Sequence, residues 1–244
     1  MYILSLDTTA KTAAACVCEV KNDDVFPLCS AQLNSTLTHS ESILPMIDFC
    51  LKNSNITTDD IDLIGVSNGP GSFTGVRIGV STAKGLAFSN NIKCVAVSTL
   101  EALALNVHDE QRSTIICPVM DARRNQFYNA LFSCNGKGGI KRLCEDRAVD
   151  VNELFEELCA EHMNKKIVLV GDGAFLAYQL FSKLDGFEKM KLLLASNERI
   201  MQNAVSVARS AYQNVDKAVD AGTLNPVYLR LSQAERERNE RLGI

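Results

Sequence analysis

Apolar residues recur along the chain in two alternating rhythms. Residues 2–7 form an apolar run ending in Asp7, and 11–20 resumes as a second strand after a short Asp-Thr-Thr-Ala turn. Residues 25–33 are expected to return as a third strand. Ile43, Leu44, Ile47, Cys50 and Leu51 then recur at the spacing of one helical face, with Pro45 expected in the first turn of that helix or at a kink. Residues 62–67 read as a buried strand, 73–88 as a helix and 94–97 as a further strand. Ser98 and Glu101 have the S-x-x-E spacing of a capping box, which opens the next helix.

The same order then recurs. Ile115–Asp121 is an apolar run ending in aspartate, followed by strands expected at 126–133 and near 140–147. Asp150 and Glu153 open a helix carrying Leu154, Phe155 and Leu158; 167–170 is a strand running into Gly171-Asp172-Gly173. A helix at 175–184, a strand at 191–194 and a helix at 200–214 complete the second unit. Helices alternating with strands imply a mainly parallel sheet covered on both faces. Two such units, each led by antiparallel strands, predict an α/β fold of the actin-like ATPase (ribonuclease H-like) type, two subdomains with a cleft between them. The expected division is 1–106 and 107–199, with the helix at about 200–230 returning to complete the first unit and 231–244 as a charged tail.

The composition of the 244 residues is that of an ordinary globular protein, 46% hydrophobic and 22% charged. A net charge of −4 argues against a chain that grips an RNA backbone alone, since phosphate neutralisation supplies most of that affinity. Nine cysteines include no C-x-x-C pair, so they read as reduced, mostly buried thiols, with no metal-site spacing. No secretory leader or bilayer-length apolar run is visible, which makes the expected location cytoplasmic.

The sharpest local feature is Asn68-Gly69-Pro70-Gly71-Ser72-Phe73-Thr74-Gly75-Val76-Arg77-Ile78-Gly79, which follows a strand and opens a helix. Gly69 and Gly71 permit a tight turn, Ser72 or Thr74 can cap the helix, and such a helix start can hold a phosphate. The plainer alternative is a strand-to-helix turn without a ligand, because neither a Walker A loop nor G-x-G-x-x-G is present. Gly75 and Gly79 lie on one helical face and imply close approach of another backbone, either the sheet beneath or a helix of a second chain. Asp7-Thr8-Thr9 and Asp121-Ala122-Arg123 each follow a strand; each is either a phosphate-facing turn or an Asx turn, and the two arginines after Asp121 favour the Asx turn there. His39, His108 and His162 are isolated from one another, and neither a Ser-His-Asp nor a Cys-His set is evident, so no peptidase chemistry is supported.

LSLDTTAKTAAACV, THSESILPMI, SNGPGSFTGVRIGVSTAKGLAF, AVSTLEALA, MDARRNQFY, VGDGA and NPVYLR occur in an order that resembles the bacterial TsaB family of tRNA threonylcarbamoyladenosine (t6A) biosynthesis proteins. The resemblance covers essentially the whole chain, and GPGSFTGVRIG is its most specific part. It implies an actin-like fold and a role in modifying adenosine 37 of tRNAs that read codons beginning with A. It further implies a heterodimer with the catalytic paralogue TsaD and assembly with the ATPase TsaE. In TsaD the corresponding segment carries a metal-binding H-x-x-x-H; here those positions fall on Thr99 and Leu103, and Gly171-Asp172-Gly173 is at best a remnant of an adenosine motif. No catalytic residue, metal or cofactor therefore carries over. The expectation is a scaffold that meets TsaD through Ile43, Leu44, Ile47, Gly75, Val76, Gly79 and Val80, forms a homodimer when alone, and touches tRNA only indirectly. The alternative is a stand-alone actin-like ATPase or phosphotransferase using a nucleotide cleft of Asp7, Thr8, Thr9, Gly69, Gly71 and Ser72.

Overall fold

The computed structural model describes residues 1–35, 37–136 and 138–230; the segment 231–244, read above as a charged tail, lies outside the described residues. Strands β1 (Tyr2–Asp7), β2 (Ala13–Lys21), β3 (Asp24–Leu33), β4 (Leu63–Gly69) and β5 (Lys93–Ser98) form one sheet in the order β3-β2-β1-β4-β5. The first three pair antiparallel, while β1–β4 and β4–β5 are parallel. β1 and β4 are buried on both faces, which is why they read as near-continuous apolar runs. The β2–β3 hairpin turns on Asn22 and Asp23, whose φ angles of 51° and 61° suit the twist of the flanking strands.

Helices α1 (His39–Ser54) and α2 (Phe73–Asn90) cover one face of this sheet, where Ile43, Ile47, Val76 and Val80 join Leu6, Val17 and Val66 in a single core. Pro45 sits in the second turn of α1, on its solvent side, and not in the first turn; the helix runs through it with one N–H missing. The opposite face carries α3 (Thr99–Leu105) and α6 (Ala204–Gln213). α3 divides its faces: Ala102 packs with α6, while Leu100, Leu103 and Ala104 enter the core of the second half. α6 is shorter than the 200–214 helix expected, because Asn203 caps it by accepting the Val205 N–H at 2.9 Å.

The second half repeats the plan with β6 (Ile115–Asp121), β11 (Lys166–Val170) and β12 (Lys191–Leu194) parallel at its centre and edge. The two antiparallel strands expected at 126–133 and near 140–147 are each broken in two. β7 (Gln126–Asn129) and β10 (Arg147–Asp150) pair beside the end of β6, and β8 (Phe132–Cys134) and β9 (Ile140–Arg142) beside its start. Pro118, in the middle of β6, has no N–H to offer the ladder. Its carbonyl is instead taken by the side chain of the fully buried Asn129, at 3.0 Å. α4 (Val151–His162) and α5 (Ala174–Phe181, shorter than the expected 175–184) close this core through Leu154, Leu158, Ala177 and Phe181.

Away from the cleft, a half-buried polar network joins the two halves. Ser98 donates to Asp146 at 2.5 Å, and Arg142 pairs with both Asp146 and Glu101. Glu101 accepts in turn from Ser210 of α6 at 2.7 Å. The capping box expected at Ser98 is thus half formed: Ser98 Oγ accepts the Glu101 N–H, but the Glu101 carboxylate goes to Arg142 and α6.

Candidate functional site

β1 and β4, parallel neighbours in one sheet, deliver their following turns to the same edge, and the turn after β6 of the other sheet lines the same cleft. The turn after β1 is tied together by Asp7. Its Oδ1 accepts from the Thr9 N–H at 2.8 Å and the Thr9 hydroxyl at 2.7 Å, and its Oδ2 accepts from Ser67 Oγ at 2.6 Å. Asp7 is 1% exposed, and burial pushes its pKa up in spite of these hydrogen bonds, which pull it down. Thr8 turns the other way: its hydroxyl donates to the Gly75 carbonyl at 2.7 Å. A Cβ at Gly75 would overlap the Thr8 carbonyl, and one at Gly79 would stand 2.5 Å from Thr8 Oγ1. The two glycines therefore admit the chain's own β1 turn, the sheet-side option, and not a helix of another molecule.

The strand-to-helix turn is equally committed. Ser72 caps α2 by accepting the Gly75 N–H at 3.3 Å, and the Ser72 N–H donates to the Thr9 carbonyl at 2.7 Å. Gly69 has φ 125°, and a side chain there would overlap the Val227 carbonyl. That contact belongs to a C-terminal strap, residues 225–230, laid across the cleft mouth. The Val227 N–H donates to the Asn68 carbonyl at 2.8 Å, Asn68 Nδ2 to the Asn225 carbonyl at 3.0 Å, and Arg230 to the Ala122 carbonyl of the other half at 2.6 Å. Tyr228 stacks on Phe73 with ring centroids 4.3 Å apart, and the Arg77 guanidinium covers Phe73 and donates to the Tyr228 hydroxyl.

Between strap, turns and second half lies a cleft of about 590 Å³. Thr9, Gly71 and Ser72 line it; Asp7, Thr8 and Gly69 do not. Its other walls include Asp121, Arg123 and Asp172, which the sequence marked as turn residues, and Lys11, His39 and Arg230, which sequence reasoning did not place there. His39 donates its Nε2–H to the Ala10 carbonyl at 2.6 Å. Asp121 closes an Asx turn by accepting the Arg123 N–H at 2.7 Å. Asp172 is pushed up to about 6, first by burial and then by the neighbouring Asp121 and Asp7 charges. Burial pushes Cys94 to about 11 and Cys117 to about 12, so neither of these two thiols is poised as a nucleophile. Thr99 and Leu103 are buried in α3.

A second feature lies on the outer face of α1 and α2. Ile43, Ile47, Val76 and Val80 are buried in the core and Gly75 and Gly79 face Thr8, so of the interface residues marked in the sequence Leu44 alone is exposed, at 53%. Helical spacing finds the stripe that faces the sheet, and that stripe is the core. The outward face shows Leu37 and Leu44 beside α1's first turns and Phe88 near the end of α2, 84% exposed. Gly85 lies on the same side of α2 with nothing within 4 Å of where its Cβ would be.

The model of the TsaD family, tRNA N6-adenosine threonylcarbamoyltransferase, matches residues 34–238. The chain is similar to the tRNA threonylcarbamoyladenosine biosynthesis protein TsaB of Bacillus subtilis, 31% identical over 236 residues, 96% of each chain. It is 31% identical to the protein of the same name from Escherichia coli over 94% of this chain and 95% of that one. Among solved structures, a Pseudomonas aeruginosa protein described as similar to peptidase YEAZ superposes with a TM-score of 0.75 at 22% identity, covering 94% of this chain and 99% of that one. The likeness to that structure is one of fold.

Proposed function

Since the chain belongs to the TsaB family and has its role in the threonylcarbamoyladenosine modification of tRNA, we propose that it acts there as a non-catalytic subunit that holds the transferase TsaD in its active shape. In this reading the pair modifies adenosine 37 of tRNAs reading codons that begin with A, works in the cytoplasm, and recruits the ATPase TsaE. tRNA is reached through the partner, and two copies of this chain pair when TsaD is absent.

The observation that carries the proposal is the outer face of α2. Phe88 places most of an aromatic ring in solvent, and Gly85, three residues earlier on the same side, costs the helix roughly 1 kcal/mol relative to alanine with no compensating contact among the described residues. Both make sense if another helix packs there closely. The burial of Asp7 supports the non-catalytic half of the reading, since its carboxylate is taken up by three internal hydrogen bonds and lies outside the cleft lining.

The test uses variants that leave the core alone. Phe88→Ser and Leu44→Ser are expected to fold with unchanged Tm and to weaken association with TsaD by roughly 10- to 100-fold together, the scale of losing buried interface anchors. Undiminished heterodimer formation by the double variant in analytical ultracentrifugation would remove the helical face from the account.

A further inference from the structure

All nine cysteines carry free thiols, and most of them are out of reach or otherwise engaged. Cys117 is buried and accepts from Asn129 Nδ2 at 3.4 Å, Cys144 accepts the Leu131 N–H at 3.1 Å, and Cys159 Sγ faces Met190 Sδ at 3.5 Å. Cys16 and Cys18 bring their Sγ atoms to 3.3 Å, yet both are fully buried and stand two apart on one face of β2. Same-face neighbours on a strand are about 6.6 Å apart, whereas a disulfide needs its Cβ atoms within about 4.5 Å. The strand holds that pair open.

Cys29 and Cys50 differ on both counts. Cys50 projects from the core face of α1, and Cys29 lies on β3, one of the two strands on which that helix packs. The Cys50 thiol donates to the Ala15 carbonyl of β2 at 3.5 Å. Ala15 pairs with Ala31 and Val17 with Cys29, so Cys50 stands over two small side chains with Cys29 as the next same-face residue along β3. The two thiols adjoin: burial first, and then the neighbouring Cys29, push the Cys50 thiol up to about 12. Because they come from different elements, their sulfurs can close without breaking a strand ladder. Access separates the two. Cys29 is half-buried on an edge strand whose outer side pairs with no other strand among the described residues, between the exposed Leu28 and Ser30.

We propose that Cys29 and Cys50 are a redox modification site, at which hydrogen peroxide oxidises Cys29 and Cys50 resolves the product to a disulfide joining β3 to α1. The Cys29 sulfur, as thiolate, attacks one peroxide oxygen; the O–O bond breaks, and the departing hydroxide takes up the proton released by Cys29 to form water. Cys29 is left as a sulfenic acid. The Cys50 sulfur attacks the Cys29 sulfur, the S–O bond breaks, and the hydroxyl leaves as water with the Cys50 proton. The two thiols lose two electrons in all, and one peroxide is reduced to two waters. A small dithiol reverses the bond by exchange. The closed form fastens the free edge strand to the helix that carries Leu44.

Trypsin cuts after Lys21 and Lys52, and the peptide 22–52 between them holds Cys29 and Cys50 and no other cysteine. The folded full-length chain is exposed to hydrogen peroxide, the remaining thiols are alkylated under denaturing conditions, and the digest is read by mass spectrometry. Peptide 22–52 is expected unalkylated and lighter by two hydrogens, formed at least tenfold faster than any other cysteine is oxidised, and dithiothreitol should restore both alkylation sites. Cys29→Ser should abolish the hydrogen loss and leave Cys50 alkylated, while Cys50→Ala should let dimedone label Cys29. The wild-type digest decides even where a variant fails to fold. A peptide 22–52 that stays fully alkylated, or oxidises no faster than the other cysteines, overturns the inference. So does a disulfide that takes in Cys16 or Cys18 instead. The assay needs neither TsaD nor tRNA, so its failure leaves the helical-face proposal standing.

Discussion

Glu41 and Glu101 each stand three residues after a hydroxyl-bearing helix cap, and they end in different places. At α1 the box closes, with Thr38 donating to Glu41 through both its N–H and its hydroxyl. At α3 a half-buried guanidinium, Arg142, competes for the carboxylate and wins, because a charged partner is worth more than a neutral N–H in a site shielded from water. The spacing was legible in the sequence; the competitor, 41 residues away, was not. Asp172 shows the same limit. Its place in Gly171-Asp172-Gly173 was visible, but its proximity to Asp121 arises from the pairing of β6 with β11, and its proximity to Asp7 only when the halves meet. Its folded pKa of about 6 stands above the ordinary value of 3.8, so the native state holds the proton more tightly than the unfolded one. Stability is therefore lost as pH rises from about 4 through 6, and the full cost is present at neutral pH. Asp172→Asn should raise stability by about 1–2 kcal/mol at pH 7.5, the shift being discounted for partial exposure, and the gain should fade toward pH 4 in thermal melts. A constant difference across that range would mean that the side chain is not titrating there.

At the level of the element, α2 holds three glycines with three environments. Gly75 and Gly79 face the Thr8 turn, which needs the space; Gly85 faces solvent with room to spare. Gly75→Ala is expected to destabilise the chain by about 3 kcal/mol or more, because the obstacle is backbone and cannot step aside. Gly85→Ala should stabilise the isolated chain by up to about 1 kcal/mol and yet weaken assembly with TsaD. Chemical denaturation alongside a binding assay separates the two effects, and a Gly85→Ala variant that gains in both would argue that no partner approaches there. The sequence offered the glycine spacing and the possibility of a sheet contact. It did not point to the outer face of α2, because hydrophobic periodicity reports the buried stripe and is silent about exposed apolar residues such as Phe88. The broken strands beside β6 were also beyond it, although Pro118 was the available signal for a ladder interruption.

For the whole molecule, duplication was the most legible property, because each half repeats the change from period two to period 3.6 in the same order. The relation between the halves was not, since it rests on long-range polar links: the Ser98–Asp146–Arg142–Glu101–Ser210 network on one side and the strap from Asn68 to Ala122 on the other. Together they span both sides of the cleft with fixed hydrogen bonds. Halves tied together in this way, with Asp7 held by internal hydrogen bonds and Phe88 exposed on α2, suit the proposed subunit that lends shape to a catalytic partner. The most direct test is threonylcarbamoyl transfer to tRNA in a reconstituted mixture, leaving out this chain or TsaD in turn. The account predicts that transfer is lost on either omission and that this chain alone is inert. Undiminished transfer without this chain would contradict it.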